Sequence, residues 1–124
     1  MRAVGLIVAL SVSLAAAVAI AATTATAVVC TSVEDRTPVG AADRFPAGVG
    51  KLVCFSEVRE GTGKVVHVWI RGNREVAVIE LRAHGARWRT WSEKRILPEW
   101  TGAWRVEVRS EDGTVLATSE FTIE

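Results

Sequence analysis

From Val28 to the C-terminus the chain never sustains a helical period; it runs as short segments of alternating character punctuated by Gly, Asp, Asn or Pro. Successive side chains of a strand point to opposite faces, so alternation bounded by turn formers specifies half-buried strands. Seven such segments are expected: Val28–Val33, Lys51–Val58, Val65–Arg71, Glu75–Ala83, Arg87–Ser92, Trp104–Ser110 and Val115–Ile123. The breaks between them are an irregular stretch through Pro38, Gly40, Pro46 and Gly48, a turn at Glu60-Gly61-Thr62-Gly63, a turn at Gly72-Asn73-Arg74, Gly85, a connection carrying Pro98, and a hairpin at Glu111-Asp112-Gly113. Asp-Gly and paired glycines are hairpin signals because those residues accept positive φ. Strands at this spacing specify an all-β fold: a small immunoglobulin-like β-sandwich of about seven strands, with a small barrel as the alternative.

The N-terminus is a different kind of segment. Arg2 is followed by an uncharged run rich in Ala and Val up to Val29, and the first acidic residue is Glu34. A cation, an apolar stretch and small residues are the parts of a secretory signal, and Ala25-Thr26-Ala27 supplies an A-x-A site before Val28. The run also exceeds the roughly 20 residues that cross a bilayer, so an uncleaved anchor helix is the competing reading; Ala and Thr contribute little insertion energy, which favours cleavage. The branched Val29 argues against a lipoprotein anchor at Cys30. Residues 1–27 are therefore expected as a signal or anchor helix and residues 28–124 as one domain. The expected location is periplasmic or extracellular, with a tether at the inner membrane where the segment is retained.

Charge narrows the partners. Of the 15 basic residues one is Arg2, and the remainder equal the 14 acidic ones. The domain is neutral, lacks the bias of a nucleic-acid binder, and must make any positive patch locally. Two cysteines in an exported chain, Cys30 and Cys54, are expected as a disulfide; closing a loop of that length stabilises a domain by about 3 to 4 kcal/mol. The alternative is a buried Cys54 and an unpaired Cys30.

Period-two sorting assigns faces. Val66, Val68 and Ile70 form an aliphatic inner face, opposite Val65, His67, Trp69 and Arg71. Ala77, Ile79, Leu81 and Ala83 are assigned inward, as are Trp104, Val106 and Val108, and Val115, Ala117, Phe121 and Ile123. Burying Arg87 and Arg89 without anions is costly, so Trp88 goes to the core and Trp91 outward. The candidate ligand-binding residues are then His67, Trp69, Arg71, Arg89, Trp91, Lys94 and Arg105 on one outer face. Indole faces stack on sugar rings and guanidinium groups pair with carboxylates, so an envelope glycan or a protein partner fits. The alternative is a structural or assembly domain whose tryptophans complete the core under Arg stems, with Trp100 plugging one end.

Catalysis finds no support. Ser56 and Ser92 lack a nucleophile-elbow setting, Glu80 and Glu107 read as counter-charges, and His67 has only His84 as a second imidazole, too few for zinc. No metal site, cofactor or enzymatic activity is expected.

The string Arg87-Trp88-Arg89-Thr90-Trp91-Ser92-Glu93-Lys94, followed by Pro98, Trp100, Thr101, Gly102 and Trp104-Arg105-Val106-Glu107-Val108, resembles the signature of an uncharacterised bacterial family, domain of unknown function 2914. Asp35-Arg36-Thr37-Pro38-Val39, Phe45, Leu52-Val53-Cys54-Phe55, Val66-His67-Val68-Trp69, Asp112-Gly113 and Phe121 extend the resemblance over the domain. It implies a periplasmic or membrane-attached β-sandwich module, without an established activity and without catalytic residues.

Overall fold

The computed structural model describes residues 5, 7–15 and 21–124. These form an all-β structure without a helix among the described residues. The expected leader helix is not seen at residues 5 and 7–15, where Ile7, Leu10 and Leu14 are exposed; the rest of that segment lies outside the described residues. No helix among the described residues is long and apolar enough to cross a membrane.

The strands are β1 (Thr24–Ala25), β2 (Val28–Cys30), β3 (Ser32–Glu34), β4 (Thr37–Val39), β5 (Arg44–Phe45), β6 (Lys51–Arg71), β7 (Arg74–Arg95), β8 (Gly102–Arg109) and β9 (Val115–Ile123). β6 is the hub: β7 lies along one edge for its whole length, while β1 and β2 pair with the first half of the other edge and β8 with the second. β8 continues to β9, and β9 to β5 in parallel; β3 and β4 form a separate hairpin.

The turn expected at Glu60–Gly63 and the break expected at Gly85 are not strand ends. Arg59 opposes Arg87, Gly61 opposes Gly85 and Thr62 opposes His84 in one unbroken register, so the second and third expected strands are one strand, and the fourth and fifth another. The glycines bend the ribbon instead of ending it. Gly61 is needed because a Cβ there would lie 2.6 Å from the Ala83 carbonyl oxygen, a backbone atom that cannot swing aside. Glu60 and Gly85 take positive φ, 54° and 100°, which turns each strand sharply without breaking the ladder. The ribbon curls on itself, and the inner faces of its halves meet.

A single extra residue then decides which face is inner. Gly72 and Asn73 close the β6–β7 hairpin, with Arg71 opposite Arg74 and Ile70 opposite Glu75. Continued without interruption, that register would oppose Trp69 to Val76 and group Val66, Val68 and Ile70 with Ala77 and Ile79. The register slips between Trp69 and Ile70, and Trp69 opposes Ala77, His67 opposes Ile79 and Val65 opposes Leu81. One residue of slip moves an entire side-chain set to the other face. Ala77, Ile79, Leu81 and Ala83 pack against the core as expected, but they carry Val65, His67 and Trp69 in with them. The expected outer face of the third segment is thus the inner one: Val65, His67 and Trp69 are buried. Val68 and Ile70 are buried too, on the other side, beside the Arg105–Glu107–Arg109 ion pairs of β8.

The main core joins Leu52 and Cys54 of β6 and Val29 of β2 to Trp69, Trp104, Val106, Phe121 and Ile123. Phe121 sits at its centre, stacked on Trp104 at 5.9 Å between centroids and edge-on to Trp69 at 6.3 Å and Phe45 at 5.9 Å. Full burial of such rings is worth about 2 to 3 kcal/mol each from area alone. Val115, assigned inward from alternation, is 48% exposed; a second slip between Val108 and Arg109 leaves Leu116 to pack inside.

Register also explains the cysteines. Cys30 opposes Val53 and Cys54 opposes Val29, so the two thiols point to opposite faces of the sheet. Cys54 joins the main core; Cys30 joins Val53, Phe55 and Val33 under the β3–β4 hairpin. The expected Cys30–Cys54 disulfide is not formed, and both are buried free thiols. Burial pushes the Cys54 thiol up to about 12.

The folded unit starts earlier than residue 28. Ala25 opposes Val58, Thr23 Oγ1 donates to the Glu60 carbonyl, and Thr26 bonds Glu57 through backbone and hydroxyl. Residues 23–27, assigned to the leader from composition, are part of the β layer.

Candidate functional site

Two constellations stand out, one inside the fold and one on its surface. Inside, the bend brings the inner face of one half of β6–β7 against that of the other. Ser56 Oγ lies 2.8 Å from His67 Nε2, and Ser92 Oγ lies 2.7 Å from His67 Nδ1 and accepts from Trp69 Nε1–H at 3.1 Å. All four side chains are buried. The indole can only donate, so Ser92 Oγ accepts from Trp69, and each ring nitrogen of His67 has a serine hydroxyl as its partner. His67 is neutral, with both nitrogens satisfied. Burial pushes its pKa from 6.5 down to about 4. Such a network rigidifies the junction of the two halves, and its burial denies a substrate access to Ser56, His67 or Ser92.

The surface constellation lies on the far half of the ribbon. Phe55 opposes Trp91, and their rings stack at 6.2 Å between centroids, holding the indole flat with 37% of it exposed. Arg87 and Arg89 share its side of β7, two residues apart. Arg36 reaches the same place from the β3–β4 turn, where Asp35 and Arg36 both take positive φ, 47° and 56°, the tight geometry of a two-residue hairpin loop. The Arg89 guanidinium donates to the Arg36 carbonyl at 3.5 Å, tying the hairpin to β7. Arg36, Arg87, Trp88, Arg89 and Trp91 line a cleft of about 430 Å³. Arg87 also pairs with Glu57 at 3.0 Å, and that hydrogen bond, with Arg59 beside it, holds the Glu57 carboxyl below the usual range.

The seven residues expected on one face are thus dispersed. His67 and Trp69 lie in the core. Arg71 donates to the carbonyls of Thr101 (3.0 and 3.1 Å) and Glu99 (3.5 Å), and the Lys94 ammonium sits 5.0 Å over the Trp100 ring, so both clamp the Pro98–Gly102 loop. That loop packs Trp100 against the main core, where its carbonyl accepts from Trp104 Nε1–H at 2.9 Å. Arg105 binds Glu107 and the Gly72 carbonyl. Only Arg89 and Trp91 meet at one site. Trp88 is half-buried on the inner side, with Arg82 5.5 Å over its ring.

Arg36 and Arg87 were missed as members of the cleft. Arg87 was legible from alternation with Arg89 and Trp91; Arg36 was not, since its place depends on where a separate hairpin docks. Ser56 and Ser92 carried a signal as isolated hydroxyls at inner positions of apolar strands. Among the described residues no group of three metal-ligating side chains comes together.

Comparison with known proteins adds one positive finding. A family model described as "Protein of unknown function (DUF2914)" matches residues 62–123, a range that runs from the bend through β7, β8 and β9. It includes four of the five cleft residues and leaves out Arg36. No curated protein matches the chain. Among solved structures, a crystal structure of a β-glucosidase from Kluyveromyces marxianus is similar over 83% of this chain and 14% of its own length, at 12% identity and a TM-score of 0.47. The chain spans that small fraction of the enzyme.

Proposed function

The chain belongs to the DUF2914 family, and from that premise we propose that it is a non-catalytic envelope module that binds an anionic glycan through the cleft of Arg36, Arg87, Arg89 and Trp91. The observation that carries this is that Arg36, Arg87 and Arg89 line one cleft together with an exposed indole that is stacked on Phe55. Arg forms bidentate bonds to carboxylates, and a tryptophan face stacks on a sugar ring. Stacking on Phe55 fixes the indole before a ligand arrives, which lowers the entropy lost on binding. The reading of the tryptophans as packing holds for Trp69, Trp100 and Trp104, and the proposal does not involve them.

The uncharged stretch after Arg2 supports export to the periplasm or cell exterior, with retention as a membrane tether where it is not removed. Because residues 23–27 belong to the β layer, we place cleavage at Ala19-Ile20-Ala21, which leaves Thr23 and β1 in the mature chain. We class the curled sheet as a small immunoglobulin-like sandwich, a reading supported by the way the bends bring the two halves of β6 and β7 face to face.

Fluorescence titration of the full chain with polygalacturonate, against neutral dextran, tests the binding. Quenching or shift by the acidic polymer alone, lost in Trp91→Ala and weakened by salt, is the expected result. An equal response to both polymers, or a response only to an acidic peptide, refutes it.

A further inference from the structure

We propose that the chain self-associates through the free edge of β7, pairing residues 78–84 of two copies antiparallel about a twofold axis at Leu81. β7 has β6 as its only strand neighbour, and none of its backbone groups finds a second backbone partner among the described residues. A long row of outward N–H and C=O groups is a template for another strand, and protected edges are normally short, bulged or charged. The slip at Val76 and the bend at Gly85 interrupt this edge at both ends of the segment, leaving a regular stretch between them. Val78, 62% exposed, stands in the middle of that stretch with no apolar cover.

Charge selects the occupant and the register. In a twofold antiparallel pair, residues equidistant from the axis face each other on the same side of the sheet. An axis at Glu80 sets Glu80 against its copy, and one at Arg82 sets Arg82 against its copy; both are repulsive. An axis at Ile79 opposes each of these charges to a valine. The axis at Leu81 alone opposes Glu80 to Arg82 of the second copy, twice by symmetry, and sets Val78 beside the second copy's His84. On the inner side it brings the two Leu81 side chains together and pairs Ile79 with Ala83, extending the apolar face of the sheet. Glu80 and Arg82 are free to re-pair: Lys64 holds Glu80 only at 3.6 Å, and Arg82, 5.5 Å over the Trp88 ring, has no carboxylate partner among the described residues. The pairing is self-complementary and needs no other protein.

Sedimentation of the full chain in a mild detergent tests this. The wild type is expected to show a reversible monomer–dimer equilibrium. Glu80→Arg and Arg82→Glu should each raise the dimer dissociation constant about tenfold or more, and the Glu80→Arg/Arg82→Glu double variant should restore it, since two opposite-charge contacts are lost and remade. Leu81→Cys should form an interchain disulfide on oxidation that the wild type, with its two thiols buried, does not form. Unchanged far-ultraviolet spectra verify folding. A chain monomeric at every concentration, or a double variant no better than either single one, overturns the proposal. So does a β7 edge whose amides become protected only when an unrelated extended peptide is added.

Discussion

His67 should make the fold acid-sensitive well above the range in which its carboxylates titrate. Below about pH 6.5 the unfolded chain binds a proton at His67 that the folded chain refuses until about pH 4, so stability falls as pH falls through that window. Between about pH 7.5 and 5 the loss is about 2 kcal/mol, rising to roughly 3 kcal/mol below pH 4, where both states are protonated. Arg87 and Arg109, hydrogen bonded to Glu57 and Glu107, hold those carboxyls low. Their contribution is lost only as pH falls below about 4.5, the unfolded value, and so lies outside the upper part of the window. Urea unfolding of the wild type and of His67→Gln at several pH values measures the effect. Glutamine keeps one donor and one acceptor without titrating, and groups common to both proteins cancel in the comparison. The wild type should lose about 2 kcal/mol more than the variant between the two pH values. Parallel pH profiles would refute the buried network, as would an imidazole resonance of His67 titrating near 6.5.

Other outcomes follow from the same geometry. Gly61→Ala should destabilise by about 2 kcal/mol or more in urea unfolding, because its methyl meets the Ala83 carbonyl, while Gly48→Ala, with open space around it and no positive φ, should cost less. Phe121→Ala should cost about 3 to 5 kcal/mol, since it removes the ring on which Trp69, Trp104 and Phe45 converge. Arg89→Ser should change unfolding free energy by about 1 kcal/mol at most yet weaken polygalacturonate binding, as fits a half-buried cleft residue with one long hydrogen bond. Mass spectrometry of the exported protein should find a mature N-terminus at Ala22 or earlier; one at Val28 would mean that β1 is dispensable.

The all-β class and the inward faces of β8 and of the first half of β7 were legible because those strands alternate without interruption. The inner face of β6 was not. Alternation sets the aliphatic Val66, Val68 and Ile70 against a side that carries His67 and Arg71 and so favours the wrong face; the choice rests on the slip at Val76, and nothing in Glu75-Val76-Ala77 marks an extra residue. The bends at Gly61 and Gly85 were read as turns because glycine pairs signal both; the opposing register that makes them a bend is a long-range property. The disulfide failed for a related reason: composition and compartment favour a bridge, whereas β2–β6 register puts the two thiols on opposite faces. In the surface cleft, Arg89 and Trp91 were found together because they are two residues apart on one strand.

The central claim is that the indole presented to a partner is Trp91 and that Trp69 is sealed in the core. Fluorine NMR of the 5-fluorotryptophan-labelled chain, assigned by single Trp→Phe variants, measures this directly. Trp91 alone should shift on adding polygalacturonate and respond strongly to a soluble paramagnetic agent, with Trp69 unmoved and fully protected. A Trp69 resonance that responds to either reagent as strongly as that of Trp91 would contradict it.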